Sequence, residues 1–298
     1  MTAIAHVVNP VQVKESSDLF VAQPITFETM RVARDFAAGQ VDVGLFSAQY
    51  PEDHPVVPAD FQRTPDLETS ILDYSTFQRP RKLPLLKEIL DRLYQASDAE
   101  YMVYTNVDIG LLPHFYLAVD RFIAAGYDAF VVNRRTISCR YQRVDQIPLM
   151  YGEVGEPHRG WDCFVFRRAA YASYELGTVC LGAPRMGLAL VANLVAHAER
   201  FHEFKDQHLT FHLGNDRSWG RSPYADYAAH NARQALHVLN ELERKAGPFP
   251  ANSPPGAFLK RRRRWGGLYE WWVRRVHLPV PTAQRLRRLF GQERDDDE

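Results

Sequence analysis

The chain has 298 residues, 46% of them hydrophobic and 24% charged, with 36 basic and 36 acidic side chains. That is enough apolar material for one large domain or one domain with an appendage, and a formal charge of zero excludes a uniformly polybasic or polyacidic binder. The charge is unevenly spread, however: residues 258–290 carry ten Lys or Arg against one acid, Glu270, before an acidic "DDDE" end.

Three cysteines, Cys139, Cys163 and Cys180, show no CxxC spacing and suit a reducing compartment, where a lone thiol is usually a small buried hydrophobe. Residues 1–18 lack a basic segment followed by an apolar one, and nowhere do about 18 apolar residues run together. The expectation is a cytosolic protein.

In chain order, "IAHVVNPV" (4–11) reads as a buried strand. Residues 25–39 place Phe27, Met30, Ala33 and Ala37 on one helical face, with Gly39 as a stop. Residues 41–51 form a second strand, and a Pro-punctuated connection then runs to residue 82, a length often tied to function. Leu86, Ile89, Leu90, Leu93 and Tyr94 predict a helix over 83–97, and "AEYMVYTNVD" the next strand. A Pro-started, Gly-ended helix follows at 113–126, then a strand at 127–133. This alternation predicts an α/β fold with a mostly parallel central sheet flanked by helices. Beyond 134 the pattern is irregular up to a strand at "WDCFVFRR". An apolar helix (184–201), a short strand (208–216) and an amphipathic helix (227–245) complete a domain of residues 1–245. Residues 246–257 read as a Pro-rich linker, and 258–298 as a basic, Trp-rich tail with some helical character.

In "YMVYTNVDIG" the strand's alternation puts Asn106 and Asp108 on one side. Ligands of open α/β sheets collect beyond the carboxyl ends of the strands, and a carboxylate there can hold a hard cation that neutralises a diphosphate. Asp is also a common turn-closing residue, and the spacing alone does not separate the two roles. No GxGxxG, GxxxxGK[ST], G-x-S-x-G or HExxH occurs, which argues against dinucleotide-dependent, P-loop, serine-hydrolase and zincin chemistry.

The order of elements, with "AHVVNPV" opening the domain, "YTNVDI" ending the strand after the 83–97 helix and "DCFVFRRAAY" later, resembles the nucleotide-sugar half of GT-A-fold glycosyltransferases, the family-2-like group in particular. These segments match the family's "VIIPVYN"-like strand, its "LDADD"-like DxD strand and its "G-x-x-x-F-R-R" strand, over about residues 1–220. The resemblance implies a GT-A-like (Rossmann-like) sheet and transfer of a sugar from a nucleotide diphosphate to an unknown acceptor, glycan or lipid-linked. Asp108 would then coordinate Mg²⁺ or Mn²⁺. Asn106, standing where the family has its first acid, would approach the ribose or the metal with less negative charge. Asn9 and Pro10 would lie near the base, and Arg81 and Lys82 near the nucleotide. A late His supplies a metal ligand in some members, and His212 is best placed, with His208 four residues earlier. Either His would also serve as an ordinary half-buried strand residue.

An inverting transfer needs a carboxylate base. Asp162 is the first candidate and Glu153 the second, with Trp161 placed to stack on an acceptor sugar. Trp161 filling core and Asp162 capping a loop is the competing interpretation. The tail, "FLKRRRRWGGLYEWWVRR", suits an anionic membrane surface better than nucleic acid, since three Trp lie among the arginines. That makes a peripheral protein on the inner membrane face the expected location. A different class stays open: a non-catalytic sugar-nucleotide-binding scaffold held at membranes, which Asn106 favours. A nucleotidyltransferase would want a Gly-rich basic loop that "NPVQVKESS" lacks.

Overall fold

The apolar runs that open and centre the sequence lie side by side as parallel strands. In the computed structural model, which describes residues 1–214 and 225–263, β1 (Thr2–Val8) pairs on one side with β2 (Val41–Ser47) and on the other with β4 (Tyr101–Thr105). The short β3 (Gln62–Arg63) extends the sheet beyond β2. Past β4 comes β7 (Glu156–Arg167), antiparallel to both β4 and β6 (Ala129–Ile137). One edge of β6 is shared: its first half pairs β8 (Phe201–Phe204) and its second half β9 (Thr210–Leu213), which carries β5 (Gly110–Leu111). The described sheet has nine strands, and all but β5 and β7 run one way. The α/β architecture and mostly parallel sheet are those expected from the sequence.

Helices cover both faces, and the strand alternation divides the core between them. Met102, Tyr104, Phe164 and Phe166 point to α2 (Leu86–Ala96), α6 (Met186–His197) and α7 (Ala225–Ala246). Tyr101, Val103, Phe130 and Val165 point to α1 (Asp18–Phe36) and α3 (Phe115–Ala124). Two short helices, α4 (Ile147–Gly152) and α5 (Arg168–Tyr171), flank β7. A last helical stretch spans 254–263, and Phe249 and Leu259 are buried in the α6–α7 layer.

Several boundaries differ from the sequence reading. α1 begins at Asp18, seven residues before the expected start, because Ser17 caps it by accepting from the Leu19 N–H. Pro24 sits inside this helix. The expected helix end at 201 is instead β8, and β6 and β7 run longer than expected. These two strands pair irregularly: Val131 faces Phe164, Asn133 faces Trp161 and Arg135 faces Pro157, so β7 carries extra residues against β6. Such bulges re-aim side chains. Because β7 is antiparallel, they lie where β4 ends, with Thr105 opposite Cys163.

Candidate functional site

β4 stops at Thr105, so Asn106 and Asp108 belong to the turn that follows, closed by the Ile109 N–H donating to the Asn106 carbonyl at 3.2 Å. Strand alternation therefore does not apply to them, and the expectation that they share one side is not met: the turn sends them to different strands. Asp108 faces β9. Its Oδ2 lies 3.2 Å from His212 Nε2, and His212 Nδ1 donates to the Gly214 carbonyl at 2.7 Å. That second bond fixes the ring: with Nδ1 donating to the carbonyl, Nε2 faces Asp108 and donates to it when the ring is protonated. Burial alone would raise the Asp108 pKa, but the hydrogen bond and charge of His212, followed by the charge of Arg134, hold it below its ordinary value. Burial pushes His212 down, and the Asp108 hydrogen bond and charge outweigh it and raise it. Asp108 Oδ1 is buried with no hydrogen-bond partner.

Asn106 turns the other way, to β7. Its Nδ2 donates to Asp162 Oδ1 at 3.1 Å, and its Oδ1 accepts from the Tyr104 hydroxyl at 2.9 Å. Arg134 donates to the other oxygen of Asp162 at 2.6 Å. Burial raises the Asp162 pKa; Arg134 works against this and the Asp108 charge adds to it, leaving the group above its ordinary value. Trp161, its neighbour, is half-buried and donates its indole N–H to Glu203 at 2.9 Å; Asn133 donates to the same oxygen at 3.1 Å.

The other expected residues lie apart from this cluster. Asn9 bridges the ends of β1 and β2, its Nδ2 donating to the Ala48 carbonyl at 2.7 Å, and Pro10 is buried beside it. Lys82 reaches the same end of β2: its Nζ lies 3.8 Å over the Tyr50 ring and 2.6 Å from Glu52. Arg81 is exposed, and its backbone N–H donates to the Tyr227 hydroxyl of α7. Glu153 accepts from the Ser138 N–H and the Tyr141 hydroxyl, each at 2.7 Å, and lines a surface concavity of about 740 Å³ in the β6–β7 connection. The Tyr141 hydrogen bond holds its pKa low, so Glu153 is the weaker base of the two carboxylates. His208 precedes β9 in a left-handed conformation, φ 47°, so it does not share a strand with His212.

Sequence reasoning missed Arg134, Tyr104 and Glu203. Their roles arise across strands, and "NRRT" and "FHEF" give no local sign of them. Thr136 was missed as well: it is the β6 partner of His212, and its hydroxyl is buried without a partner.

Among the described residues no group of three or more His, Cys, Asp or Glu stands at metal-binding spacing. Asp108 and His212 are two donors on one side, and a hard cation that keeps waters or takes phosphate oxygens needs no more from the protein. The unpartnered Asp108 Oδ1 fits such a shared shell, and so would Nε2 once it has given up the proton it shares with Asp108. No described helix is long and apolar enough to cross a membrane.

No protein-family model matches the chain, and no curated protein matches it. Among solved structures it is similar to residues 1–349 of TarS from S. aureus, at 10% identity and a TM-score of 0.44, over 81% of this chain and 70% of that one. The same TarS fragment in complex with UDP-GlcNAc gives 8% identity and a TM-score of 0.44, over 81% and 71% of the two chains. Full TarS gives 8% and 0.41, over 82% of this chain and 43% of its own.

Proposed function

We propose that the chain transfers a sugar from a nucleotide-diphosphate donor to a hydroxyl of an acceptor. The observation that carries this is the pairing of Asp108 and His212 at the end of β4, beside a separate buried carboxylate, Asp162, held by Asn106 and Arg134. One group of side chains suits a diphosphate and its cation; the other suits a base.

Asp108 and His212 would hold Mg²⁺ or Mn²⁺ together with the phosphates, and the ion would offset charge on the leaving diphosphate. Asn9 and Pro10 line the end of the sheet where the base would lie, and Lys82 with Arg81 supply positive charge at its rim. Trp161, fixed by Glu203, offers an indole edge and face to the acceptor sugar. Asp162 removes the acceptor proton. Burial suits it to this, since a base with a raised pKa holds a proton better. The tail from residue 258 would hold the enzyme on an anionic membrane surface, on the inner face, near a lipid-linked or envelope acceptor.

The specific observation behind the second interpretation, a non-catalytic nucleotide-sugar-binding scaffold, is that Asn106 replaces an acid. Calorimetric titration with UDP, GDP, CDP and dTDP, with and without Mn²⁺, tests binding. One diphosphate should bind in a Mn²⁺-dependent way and lose this in Asp108→Ala. Binding by none of them would sink the reading. Asp162→Asn should abolish transfer while binding persists; transfer at the wild-type rate would favour another base.

A further inference from the structure

Both polar atoms of the Asn106 side chain are taken by protein partners. Its Oδ1 takes the Tyr104 hydroxyl, its Nδ2 gives to Asp162, and its backbone N–H donates to the Asp162 carbonyl at 3.3 Å. The orientation of the amide follows from the chemistry of its neighbours. Tyr104 is fully buried and its hydroxyl is kept un-ionised by burial, so it donates; an ionised Asp162 can only accept. An amide serves both partners at once.

A carboxylate at 106 could not do the same. It would accept from Tyr104 but would set a second anion 3.1 Å from Asp162 Oδ1, in a place where Asp162 is only 13% exposed. Among the described residues Arg134 is the cation bonded to Asp162, and its side chain is 12% exposed. The amide at 106 thus matches a carboxylate that β7 delivers from its bulge between the Val131–Phe164 and Asn133–Trp161 pairs.

We propose that Asn106 is a positioning residue that acts on Asp162, and contacts neither the cation nor the ribose. Tyr104 orients the amide, the amide and Arg134 each take one oxygen of Asp162, and the carboxylate is held in one rotamer at the edge of the site. The transferase reading supplies only the role of Asp162 as base; the pairing itself is testable without it.

Four proteins make the test: wild type, Asn106→Asp, Asp162→Asn, and the exchange of the two, N106D/D162N. Each is melted, and each is titrated with UDP, GDP, CDP and dTDP in Mn²⁺. Both single variants should lower Tm, through two facing carboxylates or two facing amides. The exchange restores one acid and one amide, and should recover most of the lost Tm. In the exchange, the diphosphate that binds wild type should bind within about threefold, since neither residue touches it. Additive Tm losses with no recovery would overturn the pairing. Mn²⁺-dependent binding at least about tenfold tighter in N106D would show position 106 to be a ligand of the ion, and would also overturn the proposal. If no diphosphate binds wild type, the functional reading fails, while the melting cycle still decides the pairing.

Discussion

His212 Nε2 and Asp108 Oδ2 meet at 3.2 Å across 104 residues of chain, one on the strand β9 and the other on the turn after β4. Neither is fully shielded, with side chains 14% and 28% exposed, so the pair is partly accessible to solvent. Asp108→Ala and His212→Ala should each remove the Mn²⁺-dependent part of diphosphate binding, an affinity loss of at least about tenfold. The cost to stability should be about 1–3 kcal/mol, from one charged hydrogen bond. Titration with and without Mn²⁺, on proteins shown to be folded by circular dichroism, reads both effects. Metal-dependent binding that survives either change removes that residue from the ion's shell.

Gly110 follows two residues after Asp108 and lies under the ring of Phe211, the residue before His212. A Cβ at 110 would stand 2.4–2.8 Å from three atoms of that ring, which is 2% exposed. The ring has nowhere to go without shifting the β5–β9 pairing. Gly110→Ala should cost about 2–3 kcal/mol, in the range of overpacked cores, and should weaken diphosphate binding as well. Urea unfolding and titration on the same preparation check this. Wild-type stability would mean the ring yields cheaply.

Much of this fold was legible because hydrophobic period and punctuation are local. The runs at 4–8 and 101–105 are buried throughout and apolar except for His6 and Thr105, as strands covered on both faces tend to be, and Pro113 and Gly126 bracket α3. Ser17 was equally local, a cap two residues before Leu19, but the apolar face was read only from Phe27 onward. The site was legible only at its β4 end. Asp108 and His212 could be singled out one by one, whereas their contact depends on β9 pairing with both β6 and β5. Arg134 and the orientation of Asn106 depend on bulges in β7, which no period in "GEVGEPHRGWDCF" announces.

His6 lies on β1, wholly buried, with Nδ1 2.8 Å from the Tyr116 hydroxyl and Nε2 2.9 Å from the Thr105 hydroxyl. Burial pushes its pKa down to about 3. The unfolded chain therefore takes a proton here below pH 6.5 that the folded chain refuses until about pH 3. Stability should fall as pH drops through that window, with a slope of at most about 1.4 kcal/mol per pH unit from this residue. His212 has the opposite sign: its raised pKa gives stability that is full below 6.5 and is lost as pH rises through the folded value. Urea unfolding from pH 4 to pH 8 should show His6→Gln flattening the acid side only, and His212→Gln the alkaline side only. An unchanged acid limb in His6→Gln would place the acid sensitivity elsewhere.

Residues 264–298 lie outside the described structure, and the expected membrane surface falls mostly on them. The folded part supplies its root: the 254–263 helix ends in Lys260–Arg263, with Arg263 2.7 Å from Glu243 of α7 and Leu259 in the core. Beyond it, six Arg and three Trp among residues 264–290 face only Glu270 as an acid. Each cation near an anionic leaflet contributes about 1 kcal/mol, and salt screens it. The full chain should float with vesicles of phosphatidylserine and phosphatidylcholine at low salt, and be released as salt rises towards 0.5 M, about a 4 Å screening length. Truncation after Arg263 should abolish flotation and leave diphosphate affinity unchanged, because Asp108 and His212 both lie in the retained domain. Flotation that persists in the truncated chain would move the lipid-binding surface onto the folded domain. Lost diphosphate binding would instead make the tail part of the site.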